Sequence, residues 1–241
     1  MERKRVLVSW SGGKDSAWAL YLLQQQGEYE IAGLLTTVNS HFRRVAMHGF
    51  REQLLEQQAE AAGLPLWAIP LPWPCSNEEY EAAMAAACAR AVGEGIDAIA
   101  FGDLFLEDIR AYREAKLAPT GLEPLFPCWN LPTAELARAM IGSGLRAHLV
   151  CVDPRQLDAR FAGRGFDAAL LDELPPGVDP CGEHGEFHTF VSAGPMFANE
   201  ATGKFAGGAG SRSIEVRRGE IVERDGFVYA DLLPADGPSL S

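Results

Sequence analysis

The stretch Ser9-Trp10-Ser11-Gly12-Gly13-Lys14-Asp15-Ser16 decides how this chain is read. It stands between Arg5–Trp10, a short apolar run that reads as a buried strand, and Ser16–Gln26, an amphipathic helix that ends at Gly27. A strand that turns on two glycines straight into a helix lets backbone N–H groups approach an anion closely. The N-terminal amides and dipole of the helix aim at the same point. Lys14 adds a positive charge, and Ser11 and Ser16 add hydroxyl donors. Asp15 is the odd member, because a carboxylate repels phosphate unless a cation lies between; its expected task is to hold Mg²⁺ together with phosphate oxygens. The stretch is neither the GxxxxGK[ST] loop nor the GxGxxG fingerprint.

Outward from this loop, strands and helices alternate. Glu30–Val38 and Leu66–Leu71 read as strands, as does Ala98–Gly102. Between and after them, Phe50–Ala62, Asn77–Val92 and Leu104–Ala118 read as helices, with Asn77 and Glu81 suited to the start of the second. This rhythm predicts an α/β fold with a doubly wound parallel sheet covered on both faces. After Pro119 the texture changes: a short Pro-interrupted stretch (Leu122–Trp129), a helix over Thr133–Ile141 that Thr133 can cap, and a strand over Ala147–Val152. A Gly-rich stretch up to Gly210 and three short strands, Ser213–Val216, Ile221–Glu223 and Phe227–Leu232, complete the chain, with a hairpin turn at Asp225-Gly226. We therefore expect residues 1–130 to form a phosphate-binding domain and 131–241 a smaller C-terminal α+β domain.

Composition bounds the function. At ~150 residues per domain, 241 residues make one large domain or two small ones. Hydrophobic residues at 47% and charged residues at 22% exclude a disordered chain. No apolar run approaches the ~20 residues that span a bilayer, and MERKRVLVSW lacks a signal-peptide core, so the expectation is a cytoplasmic protein with no membrane partner. The net charge of −12 argues against a general nucleic-acid binder. Local basic groups at Arg43, Arg44 and Arg51, or Arg212, Arg217 and Arg218, read as solvated surface. Five scattered cysteines without a CxxC pair exclude a disulfide framework and the usual zinc spacings.

SGGKDS at a strand-to-helix turn resembles the pyrophosphate loop (PP-loop) of the ATP pyrophosphatases, the adenine nucleotide alpha hydrolase superfamily. That resemblance implies a Rossmann-like domain of the HUP type that cleaves ATP between its α and β phosphates. Three further segments narrow it: Met47-His48-Gly49, Phe101-Gly102-Asp103-Leu104-Phe105-Leu106-Glu107-Asp108-Ile109-Arg110, and Gly182-Glu183-His184-Gly185-Glu186-Phe187-His188-Thr189 followed by Gly194-Pro195-Met196-Phe197. Together with the loop they are similar, in order and across nearly the whole chain, to the diphthine–ammonia ligase family. The resemblance implies ATP and Mg²⁺, activation of a carboxylate as an acyl-adenylate, ammonia as the second substrate, and AMP and pyrophosphate as products. One departure stands out. The diphthamide-forming members read about GExGEYET where this chain reads GEHGEFHT. Phe187 lacks a phenol, and His188 replaces a carboxylate that would suit the quaternary ammonium of diphthine. The expectation is a relative acting on another, smaller carboxylate acceptor.

The candidate residues follow. Ser9, Ser11, Gly12, Gly13, Lys14, Asp15 and Ser16 bind the phosphates. Gly102 and Asp103, at the C-terminal end of a strand, lie where open α/β sheets place ligands. Thr36 ends the second strand, where this superfamily reads adenine, and His48 is expected near the nucleotide by resemblance. Glu107, Glu183, Glu186, His188 and Thr189 are candidate acceptor-binding residues. In an extended segment Glu186 and His188 share a face and can hold an amine or take the proton of ammonia, while Thr189 takes the other face. Lys14, Asp15, Asp103, Glu186 and His188 are the candidate catalytic set. Competing readings are a helix cap for Asp103, pairing of Glu107 with Arg110, and a cleft position for Trp129. The alternatives for the whole chain are a tRNA-modifying PP-loop enzyme and a non-catalytic nucleotide sensor. A homodimer is the base-rate expectation.

Overall fold

Alternate residues of β1 (Lys4–Ser9) face opposite ways, and each face buries its own helices. Val6 and Val8 pack with α1 (Lys14–Gln26) and α2 (Glu52–Ala62) through Ala17, Leu20, Leu54 and Leu55. Leu7 packs with α3 (Asn77–Gly93) and the end of α4 (Glu107–Leu117) through Ala87, Cys88, Ala91 and Leu117. A strand buried on both faces is the mark of a doubly wound sheet. The computed structural model, which describes residues 3–46, 48–205, 207–208 and 210–235, bears out the α/β class. Met47 of the Met47-His48-Gly49 segment lies outside the described residues.

β2 (Tyr29–Asn39), β4 (Leu66–Leu71), β5 (Ala98–Ala100) and β6 (Glu123–Leu125) join β1 in the parallel order β4-β2-β1-β5-β6. The two-residue β3 (Arg44–Val45) runs antiparallel on the end of β2. The winding reverses between β1 and β5, and the crevice beyond their C-terminal ends is where such sheets bind ligands. Both ends at that point carry predicted residues: Ser9 and the glycine-rich loop after β1, Gly102 and Asp103 after β5.

Downstream, α5 (Thr133–Gly142), β7 (Arg146–Val152), α6 (Ala168–Glu173), β8 (Phe187–Ala193), β9 (Val216–Arg224) and β10 (Phe227–Pro234) follow, with an antiparallel sheet in the order β8-β7-β10-β9. Asp225 and Gly226 both take positive φ, 54° and 79°, as a tight hairpin demands. This sheet shares the apolar cluster of α1 and α2: Leu149, Phe190 and Met196 belong with Trp18 and Leu20. Backbone bonds also tie the C-terminal part of the chain to the loop after β1 and to α2. The Val191 N–H donates to the Gly12 carbonyl at 2.9 Å, and the Ala198 N–H to that of Ala61 at 2.7 Å.

Several local expectations are corrected. The predicted strands Ser213–Val216 and Ile221–Glu223 give way to one longer strand, because β10 offers a full ladder partner. Ser76, not Asn77, caps α3, with its hydroxyl on the Glu79 N–H and the Glu79 carboxylate on the Ser76 N–H. Thr133 does not cap α5; its hydroxyl donates to Asp179 at 2.7 Å. α4 begins at Glu107 rather than Leu104 and has no side-chain cap, because Asp103 is taken by Arg113. Arg44 and Arg51 do not form a free basic surface: both converge on Asp231 of β10, at 3.0 and 2.6 Å. Arg110 pairs with Glu114 instead of Glu107, and its guanidinium stacks on Phe126 and Trp129, which turns Trp129 away from the cleft.

Candidate active site

The loop after β1 is held from three sides. Gly12 takes φ +77°, and a Cβ there would lie 2.4 Å from the Phe50 ring, so neither the angle nor the space admits a side chain. Gly13 starts α1 in extended backbone, with room for a Cβ only 3.1 Å from both His48 Nε2 and the Thr189 carbonyl. Within the loop the Ser11 and Ser16 hydroxyls lie 3.1 Å apart, and the Ser16 hydroxyl donates to the Gly13 carbonyl at 3.0 Å. The Lys14 N–H donates to the Thr189 hydroxyl of β8 at 3.0 Å. The second sheet therefore helps to build the loop.

Lys14 is almost wholly buried. Its ammonium donates to Asp15 Oδ2 at 2.8 Å and to the Cys181 carbonyl, and lies over the rings of Phe187 and Phe166 at 5.4 and 5.7 Å. Burial is the largest single influence and opposes its charge, but Asp15, Cys181 and Glu183 together outweigh it and keep the amine protonated. For Asp15 burial is the stronger influence and pushes the carboxyl up against the pull of Lys14. The other oxygen, Asp15 Oδ1, is buried without a hydrogen-bond partner. Among the described residues no three His, Cys, Asp or Glu side chains converge as a metal cage would. The orphaned Asp15 oxygen is the atom that fits Mg²⁺, which is ordinarily held by few carboxylates plus phosphate oxygens.

Two cavities meet at this loop. The larger, about 710 Å³, runs from Thr36 and Thr37 at the end of β2 to Tyr80 on α3 and Tyr112 on α4. The smaller, about 240 Å³, holds Lys14, Asp15, Ser16, Gly102, Asp103 and Glu183, with His188 and Thr189. Ser9, Ser11, His48, Phe101 and Arg113 line both. Of the predicted residues, Thr36 faces only the larger, its hydroxyl donating to the Trp10 carbonyl at 2.6 Å. Gly12 and Gly13 form the loop behind. Asp103 accepts two hydrogen bonds from Arg113, at 2.6 and 3.2 Å. The His48 and His188 rings lie against each other, tilted by 39°, with centroids 4.6 Å apart. Burial lowers both, His48 well below the usual imidazole range and His188 to about 4, so the pair is neutral at physiological pH.

Besides Gly12 and Gly13, two predicted residues lie outside both cavities. Glu107 is exposed at the start of α4. Glu186 does not share the pocket with His188: β8 begins at Phe187, and the buried Glu186 carboxylate accepts the Asp179 N–H at 2.9 Å. His188 and its neighbour Thr189 both line the pocket instead.

The sequence pattern of the diphthamide synthase N-terminal domain matches residues 4–122, and that of the diphthamide synthase C-terminal domain matches residues 132–202. The chain belongs to this family. It is a divergent member. The diphthine–ammonia ligase of Danio rerio is 27% identical over 213 residues, covering 80% of this chain and 84% of that protein. Those of Bos taurus and Homo sapiens are each 26% identical over 214 residues, covering 80% of both chains. The matched segments contain every part of the pocket described above.

Sequence reading missed Gln58 of α2. Fully buried, it accepts the Trp10 indole N–H at 3.0 Å and donates to the carbonyls of Gly12 and Val191 at 2.9 and 2.8 Å, tying the loop to β8. A polar residue inside an otherwise apolar helical face, beside Leu54, Leu55 and Ala59, was the available signal. The cysteine thiols near the site, Cys128 and Cys181, are pushed up by burial, the reverse of what a thiolate nucleophile requires.

Proposed function

We propose that this protein is an ATP-dependent ligase that joins ammonia to a carboxylate through an acyl-adenylate, releasing AMP and pyrophosphate. The observation that carries this reading is the meeting of the two cavities at the PP-loop, with Ser9, Ser11 and His48 common to both. A nucleoside suits the larger cavity and an acceptor the smaller, which brings the α-phosphorus to their junction. The acceptor carboxylate attacks that phosphorus, and the bond to the leaving pyrophosphate breaks. The amides at the start of α1 and the Lys14 charge stabilise the pyrophosphate as it departs. Mg²⁺, held by Asp15 and phosphate oxygens, would neutralise further charge. Asp103 is held still by Arg113, ready to orient whichever group reaches the end of β5. Ammonia then displaces AMP.

The names of the relatives make diphthine the first acceptor to consider. The residues of the smaller cavity favour a different one. The family carboxylate is replaced by His188, which is buried and neutral, while Asp15 and Asp103 are already paired. Glu183 offers an open carboxylate oxygen there, but its raised carboxyl carries only part of a charge at neutral pH, less than a quaternary ammonium calls for. We infer a small acceptor carboxylate without a cationic head. Division of labour between residues 1–130 for ATP and 131–241 for the acceptor belongs to the same proposal.

Phosphorus NMR of the protein with ATP, Mg²⁺ and ammonium tests it, with either a diphthine-bearing peptide or a small-molecule extract of the source cells. AMP and pyrophosphate appearing with the extract and not the peptide is the expected result. Turnover of the peptide would return the assignment to diphthine. ADP and phosphate would overturn the reading of the loop.

A further inference from the structure

We infer that Glu183 is the group that takes a proton from ammonium, so that neutral ammonia attacks the acyl-adenylate. The inference rests on the ligase reading above and adds a catalytic residue to it. At neutral pH ammonia is almost wholly protonated and has no lone pair to offer, so a ligase that draws on the ammonium pool needs a base inside the site.

The smaller cavity holds five candidate bases, and four are otherwise committed. Asp15 is tied to Lys14, and Asp103 to Arg113 through two hydrogen bonds. His48 and His188 are in contact and buried, and their lowered basicity makes them poor acceptors from ammonium. Glu186, the sequence-based choice, is outside the cavity.

Glu183 differs from all of these. Its Oε1 is fixed by the Leu104 N–H at 2.8 Å, and its second oxygen takes no hydrogen bond from any described residue. Its own N–H is anchored on Asp179 at 3.3 Å, between Gly182 and Gly185, both at positive φ. The carboxylate is thus positioned from one side and open on the other. Facing it are Asp15 and Lys14 from α1, Asp103 from the loop after β5, and the neutral His188 from β8. Asp15 and Asp103 are paired with Lys14 and Arg113, so the open Glu183 oxygen is the one a small cation meets at this end of the cavity. Burial, assisted by Asp15 and Asp103 and opposed by the Leu104 N–H and Lys14, raises Glu183 to about 7. A base so poised is effective at the pH where the cell works.

The step balances as follows. Ammonium gives one proton to the Glu183 carboxylate, leaving ammonia and a neutral carboxyl. The nitrogen lone pair forms the C–N bond at the acyl carbon. The C–O bond to AMP breaks, its electron pair leaves with AMP, and the surplus nitrogen proton passes to the departing phosphate and on to water.

Hydroxylamine separates base catalysis from the rest of the site, because it is a free base at neutral pH and needs no proton removed. Glu183→Gln keeps the acceptor for the Leu104 N–H. With the acceptor preparation that wild type turns over, we expect this variant to lose ammonium-dependent amide formation by on the order of 10²-fold or more, and hydroxamate formation only several-fold. In wild type, the rate per total ammonium should rise to a plateau above about 7, where Glu183 is ionised. Equal loss with both nucleophiles, or a wild-type rate climbing without a plateau as free ammonia accumulates, would overturn the assignment. If wild type makes neither amide nor hydroxamate with either acceptor preparation, the ligase reading itself falls.

Discussion

Asp15 carries the sharpest expectation among single residues. One of its oxygens is bound by Lys14, and the other is buried and unpartnered. Asp15→Ala and Lys14→Ala should each lower AMP formation by on the order of 10²-fold or more, read by phosphorus NMR. Wild-type rates in either would remove the loop from the chemistry. His188→Glu places a carboxylate where the diphthamide-forming pattern implies one and should change acceptor preference, toward a diphthine-bearing peptide, with less than about a threefold change in KM for ATP, a contact-sized effect well below 1.4 kcal/mol. An equal loss of affinity for ATP would count against an acceptor role. Most of this was legible in the sequence. Residues of SGGKDS and GEHGEFHT meet at one cavity, and both segments stood out in the sequence because their residue types and spacing are unusual for ordinary turns and strands. Glu186 misled because the alternation rule holds only inside a strand, and β8 starts one residue later.

At the scale of elements, the site depends on two close approaches. A Cβ on Gly102 would lie 2.7 Å from the Asp15 carbonyl carbon and the Ser16 nitrogen, so the turn after β5 is pressed against the start of α1. Gly102→Ala should cost about 1–3 kcal/mol by urea denaturation and raise the KM for ATP, since relief requires the helix start to move. Gln58→Ala should cost about 2–4 kcal/mol, because it leaves the Val191 carbonyl and the Trp10 N–H without their partner. A stability equal to wild type would show that water replaces the side chain. The alternating strands and helices of the parallel sheet were readable from local pattern. The pairing of β8 with β7, and its contact with Gly12, were not, because nothing near residue 190 in the sequence encodes a partner at residue 12.

For the whole molecule, pH divides stability from activity. His48 and His188 fold neutral and below their ordinary range, so the unfolded chain binds protons first as pH falls. Their contribution is present above about 6.5, the ordinary imidazole value, and is lost as pH drops toward the folded values. Glu183 acts in the opposite sense: its raised carboxyl favours the folded state at lower pH and costs stability as pH rises through about 7. Thermal denaturation against pH should show a falling Tm on the acid side that His188→Leu weakens. It should also show a higher Tm for Glu183→Gln than for wild type on the alkaline side. An unchanged acid limb in His188→Leu would assign it to carboxylates instead.

The hydrogen bond from Val191 to Gly12 has a consequence for how the gene can be cut. If the chain were divided at residue 130 and the halves produced separately, the first would lack the Val191 and Thr189 groups that brace its loop. The second would expose Phe190 and Met196, which pack beside Trp18 and Leu20. Such halves should recover nucleotide binding only on mixing, in a one-to-one titration. Shuffling acceptor halves between relatives would then succeed only where β8 and Gln58 travel as a matched pair.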